Sequence, residues 1–289
     1  MIALAIPALD EPYFAEIAGL IVEAADRRGW TVLIDQTGGD RSGQKPVTSG
    51  SHSHRIDGSI TSPLALTGEG IADLAQQRPV VLLSEDSAHV SADRVAVDSV
   101  RAAHEATLHL IELGRQRIAF IGAQAPGGAG TVRLSGYRSA LIEAGRRPDQ
   151  ALIVRASPLR RAEGAAAMAR LLTVKEPPDA VFCANDLLAL GTIRTLLSSG
   201  LRVPEDVAVA GFDDIEDARF TSPSLTTVSP DKREIAEVSV DLLCRRIREG
   251  ADGPPVNVVA GHRLQVREST VGVAVTSGPP GEAGPAQSR

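Results

Sequence analysis

Short runs of aliphatic and β-branched residues alternate along most of this chain with segments whose apolar residues recur at helical spacing. After the first run, at 2–6, six apolar residues repeat at the spacing of one helix face: Phe14, Ile17, Ala18, Ile21, Val22 and Ala25. The same reasoning predicts further strands at 31–35, 59–61, 80–83, 95–97, 118–121, 152–154, 180–182 and 207–210. It predicts helices at 70–77, 101–113, 132–144, 163–172 and 187–197. Such an alternation indicates an α/β fold of two doubly wound, Rossmann-like units with parallel sheets.

A long helix is predicted to follow the second unit. Asp231 is suited to cap this helix, and Glu234 stands three residues later, which is the spacing of a capping box. Arginines in the last turn and Gly250 mark its end. We infer that the chain crosses back here to complete the first sheet.

The composition is that of a globular protein with room for two domains. The chain has 289 residues, of which 43% are apolar and 23% charged, and its net charge of -6 makes it a poor candidate for gripping nucleic acid by itself. The apolar start is too short for a signal peptide and lacks a basic region before it. Cys183 and Cys244 form no CxxC pair, so we expect buried free thiols in a reducing cytoplasm. No stretch of the sequence approaches the roughly 18 uninterrupted apolar residues of a membrane span, so we expect no membrane contact.

The motifs of common catalytic and nucleotide-binding sites are absent from the sequence, including GxxxxGK[ST], GxGxxG, HExxH and GxSxG. The glycine-rich loop 122–130 could approach a phosphate, but its spacing matches no nucleotide fingerprint, and a flexible loop beside a cleft is the alternative. His52 and His54 lack further ligands nearby, which favours a solvated loop over a metal site. We therefore expect no catalysis, no metal and no cofactor.

Seven stretches of the sequence, spread in order over residues 2–271, together resemble the LacI/GalR family of bacterial transcriptional regulators. They are 5–16 (AIPALDEPYFAE), 109–122 (HLIELGRQRIAFIG), 133–137 (RLSGY), 184–191 (ANDLLALG), 202–214 (RVPEDVAVAGFDD), 223–228 (PSLTTV) and 266–270 (VREST).

The resemblance implies a fold of the periplasmic binding protein type I kind, with two lobes, three interlobe crossovers and a ligand between the lobes. We expect residues 1–98 and 230–259 in the N-terminal lobe, and residues 99–229 and 260–275 in the C-terminal lobe. The tail 276–289 has no apolar period and is predicted to be disordered. The polar segment 38–55 is predicted to be a mobile loop or a poorly packed helix.

The family lines its cleft with the loop after the first strand, which here carries Asp10, Tyr13 and Phe14. Aromatic rings cover the apolar faces of a sugar or a base while polar groups fix its orientation. The alternative for Phe14 is that it begins the apolar face of the following helix and belongs to the core.

Three further residues match effector-binding positions of the family: Arg133, Asn185 and Asp213. A guanidinium offers several donors in a fixed fork, and a carboxylate can accept two hydroxyl hydrogens. The alternatives are an interlobe salt bridge for Arg133, a helix cap for Asn185 with its neighbour Asp186, and turn formation for Asp213 with Asp214.

The sequence departs from the family's pattern at several cleft positions. Ser84 replaces a frequent aspartate, Leu159 replaces an aromatic that stacks on the ligand, and Pro230 replaces a common glutamine. These changes indicate an effector that differs from the usual sugar or binds more weakly.

The resemblance implies the effector-binding core of a regulator that acts as a homodimer and senses a small molecule, a sugar or related metabolite. We expect operator DNA to be bound only through a helix-turn-helix headpiece that precedes the core in this family and is not part of this chain. A solute-binding protein of a transport system is the alternative, and an enzyme on the same scaffold is a third hypothesis.

Overall fold

The computed structural model describes residues 1–38, 55–62, 68–84, 92–123, 128–250 and 253–272. The strands are β1 Ile2–Ile6, β2 Val32–Gln36, β3 Gly58–Thr61, β4 Val80–Leu83, β5 Asp93–Val97, β6 Ile118–Ala123, β7 Ile153–Arg155, β8 Ala180–Cys183, β9 Ala208–Phe212, β10 Thr226–Pro230, β11 Asn257–Ala260 and β12 His262–Gln265. The helices are α1 Pro12–Asp26, α2 Gly68–Gln77, α3 Ser99–Glu112, α4 Ala129–Glu143, α5 Arg161–Leu171, α6 Asp186–Ser198, α7 Asp217–Phe220, α8 Lys232–Glu249 and α9 Glu268–Val271.

The strands form two six-stranded sheets, which confirms the predicted fold class. The first sheet has the order β11-β5-β4-β3-β1-β2, and its paired strands all run parallel. The second has the order β12-β10-β9-β8-β6-β7, and only its edge strand β12 runs antiparallel to its neighbour. We call the first sheet with its helices the N-lobe and the second the C-lobe.

The chain passes between the two sheets three times: after β5, after β10 and after β11. An aspartate caps the helix after each of the first two crossings. Asp98 accepts from the amide of Arg101 at 3.0 Å, and Asp231 accepts from the amide of Glu234 at 2.9 Å. The lobe limits given above stay predictions, and the tail 276–289 and nearly all of the segment 38–55 lie outside the described residues.

The predicted capping box at α8 is only half correct. Asp231 caps the helix, but Glu234 does not return a bond to the backbone of Asp231. Its carboxylate accepts instead from the amide of Gly261 at 2.8 Å, and the Asp231 amide donates to the Gly261 carbonyl at 2.8 Å. The start of α8 therefore holds the crossover between β11 and β12.

Each lobe buries a separate apolar core. The interior strands β1 and β9 do not alternate between buried and exposed residues, because both faces of each sheet are covered, and all five residues of each strand are buried. Cys183 lies in the C-lobe core and Cys244 in the N-lobe core, and both are free thiols, as predicted. Tyr13 packs against both cores, so it lies where the two lobes meet.

Candidate ligand-binding site between the lobes

The carboxyl ends of the strands carry the predicted site residues. Asp10 and Tyr13 lie after β1, Asn185 follows β8, and Asp213 follows β9 directly, while Arg133 lies on α4, which follows β6. Ligands of open parallel sheets bind beyond the carboxyl ends of the strands. The carboxyl ends of the two sheets lie close together. Arg160, at the start of α5 in the C-lobe, donates to Asp10 of the N-lobe at 2.8 Å.

A buried cluster of Arg133, Asp213 and Phe212 lies in the C-lobe part of this site. Arg133 is 5% exposed, and its Nη1 lies 3.5 Å from Oδ1 of Asp213 and donates to the carbonyl of Ala184. The guanidinium carbon lies 3.6 Å from the centre of the Phe212 ring, which is cation–π geometry. The sequence predicted Arg133 and Asp213 as separate ligand-binding residues. The structure places them in contact with each other within the C-lobe.

The turn after β9 has an unusual backbone. Asp213 and Asp214 both have positive φ, at 114° and 48°. Aspartate is among the few residues that enter this region without glycine's freedom. Asp213 and Asp214 therefore form a turn, which is the alternative that the sequence left open for them. The carboxylate of Asp213 also lies beside the Arg133 guanidinium.

Both the oxygen and the nitrogen of the Asn185 side-chain amide form hydrogen bonds with the backbone. Its oxygen accepts from the amide of Leu188 at 3.0 Å, which caps α6, and its nitrogen donates to the carbonyl of Leu159 at 3.0 Å. The cap foreseen as an alternative is therefore present. A ligand contact by Asn185 stays a prediction, since the amide nitrogen has a second hydrogen.

The segment after β1 separates its three predicted residues, because only Asp10 lies in the loop, whereas Tyr13 and Phe14 belong to the first turn of α1. Asp10 is exposed and pairs with Arg160, which lowers the pKa of its carboxyl mainly through the hydrogen bond between them. Tyr13 lies between the lobes, with its ring edge-on to Phe14 at 5.3 Å. Phe14 packs against the N-lobe core, which supports the core role that sequence left open for it.

Known proteins match this chain in sequence and in structure. A family model described as a periplasmic binding protein-like domain matches residues 107–270. The HTH-type transcriptional repressor PurR of Vibrio atlanticus (strain LGP32) is 31% identical over 82% of this chain and 71% of the repressor. A structure described as a transcriptional regulator of the LacI family, from Sanguibacter keddieii DSM 10542, matches with 39% identity and a TM-score of 0.82, covering 94% of this chain and 99% of that one.

The chain belongs to the LacI family of transcriptional regulators. A LacI-family regulator from Enterococcus faecium with bound ribose also matches this LacI-family chain, with 25% identity, a TM-score of 0.83, and coverage of 94% of this chain and 99% of the other. The matched relatives are regulators and not enzymes, so the expectation of no catalytic role is confirmed. No helix in the described ranges is both long and apolar enough to cross a membrane.

Asp186 is a functional candidate that the sequence presented only as a helix cap. In this LacI-family core it does not cap α6. Its carboxylate, which is fully buried, accepts from the hydroxyl of Thr227 at 2.5 Å and from the amide of Ile215 at 3.0 Å. It therefore holds the turn that carries Asp213.

Gly211 makes room for this carboxylate. A Cβ at position 211 would lie 2.3 Å from Oδ1 of Asp186, so only glycine fits here in β9. Burial, and after it the negative charge of Asp213, raise the pKa of Asp186 well above its ordinary value. Because the buried Asp186 carboxylate binds the backbone of the turn, it supports the backbone conformation in which the turn carries Asp213.

The substitution Asp186→Asn tests whether this carboxyl is kept neutral in the folded core. The pKa of the Asp186 carboxyl is higher in the folded protein than in the unfolded chain, where it has the ordinary value of 3.8. The contribution of this carboxyl to the free energy of unfolding is therefore fully present below pH 3.8, and it is lost as the pH rises to the folded-state pKa. Asparagine has no proton to lose and offers the same donor and acceptor as a neutral carboxyl. The free energy of unfolding of Asp186→Asn relative to wild type should therefore increase with pH, by up to ~1.4 kcal/mol per unit within that window.

Urea unfolding at several pH values between about 4 and 8 measures this difference. Asp98→Asn is the matched control, since asparagine is as good a helix cap as aspartate. A difference between Asp186→Asn and wild type that stays constant over this pH range contradicts a neutral buried carboxyl.

Proposed function

We propose that this LacI-family core binds a small polar effector, a sugar or a related polyhydroxyl metabolite, between its lobes. The observation that carries the proposal is the buried cluster of Arg133, Asp213 and Phe212 at the carboxyl ends of the C-lobe strands. Tyr13, in the first turn of α1, packs against the cores of both lobes. The guanidinium and the carboxylate supply donors and acceptors, and the Tyr13 ring supplies an aromatic surface, which is the set that sugar recognition uses.

The chemistry of the cluster suits hydroxyl groups. A guanidinium can donate two parallel hydrogen bonds, and a carboxylate can accept from two neighbouring hydroxyls. Both groups are already desolvated and oriented by the fold, so binding does not have to order them. The ribose-bound relative supports a sugar, whereas Ser84, Leu159 and Pro230 argue for one that differs from the family's usual ligands.

The bound effector would act through the angle between the lobes. An effector shifts the balance of two lobe arrangements only by its difference in affinity for them. We propose that this shift controls operator binding through a helix-turn-helix headpiece of the kind named in the HTH-type relatives, and that the protein works in the cytoplasm. A solute-binding protein of a transport system is not favoured, since the matched relatives are regulators.

We also propose that the core acts as a homodimer. Phe220 on α7 is 78% exposed, and since aromatic residues are enriched at protein–protein interfaces, we place Phe220 in the proposed dimer interface. The substitution Phe220→Asp should raise the dissociation constant of the dimer by about tenfold or more, the loss expected of a central aromatic contact. Sedimentation equilibrium of both proteins checks this, and a wild-type chain that is monomeric at all concentrations contradicts the dimer.

A thermal-shift screen of this chain against sugars, sugar phosphates, nucleosides and amino acids tests the proposed function. A true effector at about a hundred times its dissociation constant should stabilise the fold by ~2.7 kcal/mol. For a chain of this size, that is a rise in Tm of roughly 5–10 °C. We expect one class of polyhydroxyl compounds to give this shift.

Variants of the cluster show whether the shift arises at the proposed site. Arg133→Ala and Asp213→Ala should abolish it, and Arg133→Lys should weaken it because lysine keeps the charge but lacks the fork. Arg147→Ala, at an exposed position of the same lobe, should leave it unchanged. A shift that survives in folded Arg133→Ala and Asp213→Ala would place the ligand elsewhere.

A further inference from the structure

The turn 213–216 is held by both lobes through its backbone. Its four consecutive amide groups all donate: Asp213 to the carbonyl of Val228 at 2.9 Å, Asp214 to the hydroxyl of Thr227 at 3.4 Å, Ile215 to the carboxylate of Asp186 at 3.0 Å, and Glu216 to the carboxylate of Glu16 at 3.2 Å. The first three acceptors belong to the C-lobe. The fourth, Glu16, lies on α1, which packs in the N-lobe.

Lys232 completes this contact from the same side. It is the first residue of α8, whose apolar face packs in the N-lobe core. Its ammonium forms an ion pair with Glu16 and donates to the carbonyl of Asp214 at 2.9 Å. Its side chain is only 10% exposed, and its nitrogen lies 5.8 Å from the centre of the Tyr13 ring.

The turn is also fixed to the C-lobe by its side chains. Arg267 donates to the carboxylate of Asp214 at 2.6 Å, and Arg219 lies 3.5 Å from the same carboxylate. The C-lobe thus fixes the shape of the turn, and Glu16 with Lys232 connect this fixed shape to the N-lobe. An ion pair that is partly buried and shares hydrogen bonds with backbone groups is stronger than an exposed pair.

We propose that Glu16 and Lys232 are positioning residues that act as one clasp, which holds the turn bearing Asp213 against the N-lobe and so sets the angle between the lobes. Lys232 grips the turn at its carbonyl of residue 214, and Glu16 grips it at its amide of residue 216. The consequence for effector affinity rests on the proposed function. The clasp itself does not, because its contacts are made by the protein alone.

Amide hydrogen exchange measured by NMR on the full chain, without any effector, tests the clasp. The substitutions Glu16→Gln and Lys232→Met should each speed exchange at the Glu216 amide by about tenfold, as expected when a hydrogen bond to a charged group is weakened or lost. Exchange at the Asp213 amide should stay as in wild type, since its acceptor is in the C-lobe. The double variant should show no more than the larger single effect, because the two residues act as one unit.

The angle between the lobes is followed in the same proteins by electron–electron distance measurements between spin labels. Asp26→Cys on α1 and Arg194→Cys on α6 place the labels at exposed positions of the two lobes, while the native thiols are buried. Lys232→Met should lengthen and broaden the distance distribution. Arg233→Met removes a neighbouring charge from the same helix, where Arg233 pairs with Glu23 at 4.0 Å within the N-lobe, and should leave the distribution unchanged.

Unchanged Glu216 exchange and an unchanged label distance in both Glu16→Gln and Lys232→Met would overturn the proposal. Equal acceleration at the Asp213 and Glu216 amides would also overturn it, since that result indicates general destabilisation and not the release of one lobe. Because no effector is present, these results do not depend on whether the screen finds one.

Discussion

The buried ion pair of Arg133 and Asp213 is the interaction on which the candidate site depends. Removing two charges from water costs several kcal/mol, and their attraction restores this only when the remaining donors and acceptors are also satisfied. Here the Phe212 ring and the Ala184 carbonyl supply additional contacts for the guanidinium. A buried ion pair is weak evidence for a stabilising role, so this pair supports the role in recognition that we propose for it.

The position of that pair follows from the backbone around it. Gly211 lets the Asp186 carboxylate approach β9, and Asp186 in turn binds the amide of Ile215. The positive φ of Asp213 and Asp214 is therefore maintained by contacts on several sides. Glu16 and Lys232 add contacts from the N-lobe to the same turn. Asp213, which we propose contacts the effector, is therefore connected to the N-lobe, whose angle to the C-lobe we propose changes on binding.

The sequence predicted the architecture because hydrophobic periodicity is a local property. The alternation of strands and helices, the aspartate cap of α8 and the return of the chain to the first sheet all follow from residues close in sequence. Errors arose where distant contacts decided the outcome. The strand predicted at 207–210 is β9, Ala208–Phe212, because Gly211 continues the strand and does not end it. Glu234 bonds to Gly261 and not to its own helix start.

The site was predicted only in part, for the same reason. Arg133 and Asp213 were found through the family resemblance, and the structure placed them in contact. The pairing of Asp10 with Arg160 and that of Glu16 with Lys232 join residues 150 and 216 positions apart, which no local pattern contains. Glu16 and Asp186 both lie within stretches that carry the resemblance, but the stretches do not show what these carboxylates bind.

We have proposed that an effector binds where the turn 213–216 faces Arg133. The most direct test is an NMR titration of the isotope-labelled chain with the compound that the thermal screen identifies. We expect saturable shifts, with one dissociation constant, at the Arg133 side-chain Nε–H and at the amides of Asp213 to Glu216. Saturable shifts confined to residues outside this turn and α4 would contradict it, since the effector would then bind elsewhere in the molecule.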